Sequence, residues 1–115
     1  MKETEAIVQG QDTTILKRAV IDTATSGDTT IVAAVTGKRI RVHSVVLVGG
    51  GSVTARFESG AGGTALTGQM TLATGSVVEM GWNPAGWFET ADGALLNLEL
   101  SGATTVDGCI VYSEV

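Results

Sequence analysis

Turn signals recur about every ten residues along this chain, and that rhythm limits what it can become. Gly27, Gly37, Gly49-Gly50-Gly51, Gly60 to Gly68, Gly75, Gly81, Gly86, Gly93 and Gly102 cut it into short runs. Between them lie stretches rich in Val, Ile and Thr, which suit strands better than helices. The longest run is Lys38 to Val48. Successive strand side chains point to opposite faces. Ile40, Val42, Val46 and Val48 therefore share one face, and Arg39, Arg41, His43, Val45 and Leu47 the other. The first half has one apolar and one basic face; the second is apolar on both. The sequence predicts a strand that begins half exposed and ends covered on both sides.

In chain order, Leu16 to Ala24 reads as a strand with Val20 pointing inward, and Thr29 to Val35 as the next. Val53, Ala55 and Phe57 alternate with Thr54, Arg56 and Glu58, the mark of a half-buried strand. Gln69 to Leu72 and Ser76 to Met80 follow. Trp87 to Thr90 and Ala94 to Ser101 flank Asp92-Gly93, a hairpin signal, with Leu96, Leu98 and Leu100 inward and Asn97 and Glu99 outward. Thr104 to Ser113 closes the chain, with Val106, Gly108, Ile110 and Tyr112 on one face and Cys109 on the other. Gly108 suggests a bulge or room for a large neighbour. Some eight antiparallel strands without a helix predict an all-β single-domain sandwich over residues 16–115, jelly-roll-like in its even spacing. Residues 1–15 are polar and weakly patterned, with Gly10 to Thr14 read as loop, and are taken as an N-terminal arm.

Composition narrows function. The net charge of −5 argues against a nucleic-acid partner. No run approaches the roughly 20 apolar residues of a membrane helix, and no signal peptide is visible. One cysteine excludes an intrachain disulfide. All seven basic residues lie at or before Arg56, and only acids follow. Either strands pair these charges within the chain, or a basic surface of one subunit meets an acidic surface of the next.

Catalytic and cofactor signatures are missing. Thr36-Gly37-Lys38 lacks the glycine spacing of a phosphate loop, and no Lys-Ser/Thr follows the Gly60 to Gly68 stretch. His43 is the only histidine, no paired metal-ligand spacing exists, and Cys109 has no basic cluster after it. Glu58, Glu79, Glu89 and Asp92 fall at outward positions or turns, as solvated carboxylates would. The sequence thus predicts a non-enzyme with no cofactor and no metal. Gly81 to Phe88 gathers both tryptophans and the only proline. Trp82 and Trp87 could plug the core, anchor an interface or form a sugar platform.

Val46-Leu47-Val48, Val53 to Gly60, Gly63 to Gly68, Gly86 to Ala91 and Leu95 to Leu98 resemble small structural proteins of tailed bacteriophages, across roughly residues 18–115. The resemblance implies a virion component with a sandwich or jelly-roll body, made in the host cytoplasm and carried on the particle surface. It implies a head decoration (cement) protein bound to the major capsid protein, with a fibre or tail module binding a receptor or glycan as the alternative. A symmetric oligomer, a trimer at a capsid three-fold, would suit that role. The candidate interface is then Val45 and Leu47, the Trp82/Trp87 turn, and the basic pair Arg39 and Arg41.

Overall fold

The computed structural model describes the backbone of residues 5–9 and 12–115, and side chains from Thr14 onward. Eleven strands form among the described residues: β1 (Glu5–Gln9), β2 (Asp12–Thr23), β3 (Gly27–Val32), β4 (Ile40–Gly49), β5 (Val53–Ser59), β6 (Thr64–Ala65), β7 (Met70–Leu72), β8 (Val77–Met80), β9 (Phe88–Glu89), β10 (Leu96–Leu100) and β11 (Val106–Glu114). One sheet runs β1-β2-β11-β4-β8, with β9 also on β4. The other runs β3-β10-β5, with β6 and β7 both on β5. Every pairing is antiparallel.

The pairs β2 with β11, β3 with β10, β4 with β8 and β5 with β7 nest inside one another. They make one long ribbon whose tip lies between β5 and β7, rolled so that alternate pairs fall in opposite sheets. This is a jelly roll of eight principal strands, with β1, β6 and β9 added. The predicted sandwich is therefore what forms.

The core lies between the sheets. Phe57, Leu96, Leu98 and Leu100 meet Ile21, Val42, Val45, Leu47 and Ile110, all nearly or fully buried. Each such side chain contributes about 1.5–3 kcal/mol of transfer free energy. The Phe57 ring lies 5.2 Å from that of Phe88, tilted by 33°.

Three expectations are corrected. Val20 points to solvent and Ile21 enters the core. β9 and β10 do not form a hairpin: β9 pairs with β4, β10 with β3 and β5, so the Asp92-Gly93 turn carries the chain between sheets. Turn chemistry sets the local bend and says nothing about pairing partners.

The third correction concerns β4. The pairing with β11 shifts between Val111, opposite Ser44, and Tyr112, opposite Val42, leaving His43 as an extra residue. This bulge flips the alternation, since a one-residue slip moves every side chain to the other face. Ile40 and Val42 point inward before it, Val45 and Leu47 after it.

At the start of the chain, β1 pairs with Asp12 to Leu16 of β2, a segment lying beyond Lys17, where the pairing of β2 with β11 ends. β2 thus begins at Asp12, inside the expected loop, whose Gly10 and Gln11 lie outside the described residues.

Candidate interaction surface

The outer face of the β2-β11-β4-β8 sheet is built from cross-strand rows. One row is Val20, Cys109, Val46 and Glu79; the next is Asp22, Asp107, Val48 and Val77. On the other side of the first row lie Arg18, Val111 and Ser44. Val20 is 77% exposed, Val77 61% and Val48 38%, and Cys109 is exposed with a free thiol. These apolar side chains lie side by side, with Arg18, Asp22, Asp107 and Glu79 around them.

The candidate interface residues separate. Val45 and Leu47 are fully buried in the core, which removes them from any surface. The bulge at His43 puts Val46 and Val48 outside in their place. Arg39 and Arg41 both grip one carboxylate: Arg39 Nη1 lies 3.2 Å from Glu89 Oε2, and Arg41 Nε 2.9 Å from Glu89 Oε1. Burial alone would raise the pKa of Glu89, but hydrogen bonds and charge from Arg41 and Arg39 outweigh it and hold the pKa low. The arginines thus clamp β9 onto β4.

The tryptophans do not plug the core. Residues 81–87 lie along β4 in the gap between β8 and β9, with Asn83 N–H donating to the His43 carbonyl and Trp87 N–H to that of Val42. Pro84 sits in this irregular link, as expected. Trp82 and Trp87 remain about half exposed, at 48% and 50%. The Trp82 ring covers His43 at a centroid distance of 5.2 Å. Polar groups that a sugar platform needs are spent locally. Trp87 Nε1–H donates to Gly81 O at 2.7 Å, and the Asn83 side chain bonds Ala85 N–H and the Gly86 carbonyl.

Beneath this loop lies a pair that sequence reasoning did not anticipate. Ser113 Oγ is 2.8 Å from His43 Nε2, and His43 Nδ1 is 2.9 Å from Asn83 O. A carbonyl can only accept, so Nδ1 carries a proton, and in a neutral ring Nε2 then accepts from the Ser113 hydroxyl. A hydroxyl on an oriented imidazole resembles an activated nucleophile. Here His43 and Ser113 are both buried, which closes the pair to a substrate. A depression of about 400 Å3 beside Thr14, Ile15, Lys38 and Val115 holds Lys17 and Glu114, which bond each other at 2.8 Å.

The outer face of the other sheet carries a second polar cluster. Glu58, expected in solvent, is fully buried, as is Asn97. Arg56 Nε lies 2.7 Å from Glu58 Oε2 and 3.4 Å from Glu99 Oε1. Asn97 Nδ2 donates to Glu58 Oε1 and Asp28 Oδ1, both at 2.8 Å. Oxygens of Asp28, Glu58 and Glu99 come within 4.8 Å of one another, and Arg56 supplies the countercharge. This network ties β3, β10 and β5 together.

The chain is a jelly-roll β-sandwich whose β2-β11-β4-β8 sheet exposes apolar side chains among charged ones. No protein-family model matches the chain, and no curated protein matches it. Among solved structures it is similar to a chain from Bacillus endospore appendages, which form a novel family of disulfide-linked pili. That match has a TM-score of 0.52 at 19% identity and covers 98% of this chain and 89% of the other. At such identity the likeness is one of fold.

The bacteriophage resemblance is overturned by this match, which runs nearly full length to an endospore appendage chain and not to a phage protein. With it go the virion location, the capsid-protein partner and the decoration, fibre or tail role. The motifs that carried the resemblance are strand-and-turn signatures. Val53 to Ser59 and Leu96 to Leu100 alternate because they line a sandwich, and any jelly roll asks for the same alternation.

Proposed function

We propose that this chain is a non-enzymatic structural subunit that assembles with copies of itself. The observation that carries this reading is the outer sheet face, where Val20, Val48 and Val77 stand exposed around the Cys109 thiol. Such a face loses free energy to water until something covers it. The fold likeness to a chain of disulfide-linked pili supports the same reading. The buried His43–Ser113 pair supports a body without catalysis.

A single cysteine limits how such an assembly is held. One thiol per subunit can join two subunits and no more, so disulfides alone cannot extend a homopolymer. Contacts between subunits are therefore non-covalent in the main. A homotrimer loses its motive along with the capsid three-fold position that suggested it. Residues 1–15 serve as an arm reaching a neighbouring molecule, consistent with the β1–β2 pairing that runs on past Lys17.

Sedimentation velocity over a concentration series in reducing buffer tests the reading. Species larger than the 11.7 kDa chain are expected to grow with concentration. A monomer at every concentration contradicts it.

A further inference from the structure

We infer that the outer face of the β2-β11-β4-β8 sheet packs against the same face of a second copy, about a two-fold axis that crosses the strands at the row of Val20, Cys109 and Val46. This rests on the self-assembly reading and specifies its surface.

This face carries an electrostatic cost. Asp22 and Asp107 are cross-strand partners on this face. Like charges directly opposite on a sheet are destabilising. The pKa of Asp107 lies above its usual value, first through lost hydration and then through a hydrogen bond to Asp22 and the charge of Asp22. A cation from outside would relieve the pair.

The cation is present on the same face. Arg18 and Asp22 lie on the same side of β2, with Val20 between them. A two-fold axis lying in the interface and crossing the strands at the Val20 row reverses strand direction. It sets Val20 against Val20, Cys109 against Cys109 and, on the edge strand β8, Glu79 against Glu79. It also sets Arg18 of each copy against Asp22 of the other, within reach of Asp107. An axis parallel to the strands would instead bring aspartates against aspartates. Two Arg18–Asp22 contacts against one Glu79–Glu79 contact at the edge strand favour the axis that crosses the strands. Arg18 is also engaged within its own chain. Its guanidinium has five N–H donors and can serve two partners.

Packed sheets stand about 10 Å apart, whereas a disulfide needs Cα atoms within about 7 Å. The two Cys109 thiols would thus be covered by the contact without being bonded by it.

Charge reversal tests the geometry. Association is measured by sedimentation equilibrium, folding by the unfolding midpoint, and cover by the rate of Cys109 alkylation with iodoacetamide. Arg18→Asp and Asp22→Arg should each weaken association about tenfold or more, and the double variant should recover most of it. Asp22→Arg places an arginine beside Asp107 within its own subunit, so its midpoint should hold or rise while association falls. Alkylation of the wild type should slow about tenfold or more from dilute to concentrated protein. Assembly that ignores both single variants and leaves Cys109 fully reactive overturns this geometry while sparing the self-assembly reading. Absence of any assembly overturns both.

Discussion

Ser113 on the last strand reaches His43 on the fourth across 2.8 Å, and the two residues are 70 positions apart in the chain. The contact fixes the bulge that decides which residues of β4 face outward. His43→Ala would leave the Ser113 hydroxyl and the Asn83 carbonyl without their ring partner in a buried site. Stability should fall by about 2–4 kcal/mol in urea unfolding, since an orphaned buried polar group costs about 1–3 kcal/mol and a cavity adds to it.

Glu58 is the buried member of the cluster on the opposite sheet, held by Arg56 and Asn97. Glu58→Ala should cost about 3–5 kcal/mol, because it leaves Arg56 and Asn97 without their shared acceptor. Glu99→Ala, at a partly exposed position, should cost about 1 kcal/mol or less. Equal losses from the two variants would show that Glu58 is not the anchor.

Gly108 has a φ of +155°, and a Cβ there would fall 1.8 Å from the Val46 carbonyl oxygen. The glycine exists for the close approach of β4, where a large side chain or a bulge was expected. Gly27, at φ +87°, has open space around it. Gly108→Ala should cost about 3 kcal/mol or more, through backbone strain and a clash together. Gly27→Ala should cost about 1 kcal/mol, through strain alone. Thermal unfolding of the two variants side by side measures the difference.

The clamp on β9 predicts a pH signature. Glu89 has a lowered pKa in the folded chain. Its contribution is fully present above the unfolded carboxylate value of 4.5 and is lost as pH falls through the lower folded value. The pair is partly exposed, so the effect should stay below about 1 kcal/mol. Glu89→Gln should flatten that part of the acid limb in stability-versus-pH curves, and an unchanged limb would remove the clamp from the picture.

Much of the fold was legible in the residues. Val53, Ala55 and Phe57 on β5 and Leu96, Leu98 and Leu100 on β10 alternate with polar neighbours, so one face is unambiguous and lies in the core. Val106 and Ile110 were legible for the same reason, and they put Cys109 outside. The second half of β4 was not. Val45 to Val48 is apolar on both faces, so alternation carries no direction there. The bulge that settles it depends on Asn83 and Ser113, far off in the chain. Val20 and Ile21 posed the same problem, two apolar residues side by side with only one place in the core. Glu58 and Asn97 sit on outward positions, and nothing local shows that their network will be covered. The outer apolar face became visible only once these reversals were known.

Val20 offers the most direct measurement. Its side chain is 77% exposed, so Val20→Lys should fold with an unchanged unfolding midpoint. Sedimentation equilibrium of wild type and Val20→Lys, in reducing buffer at matched concentrations, should show the wild type associating and the variant monomeric. Identical behaviour of the two proteins would contradict the assignment of this face to self-assembly.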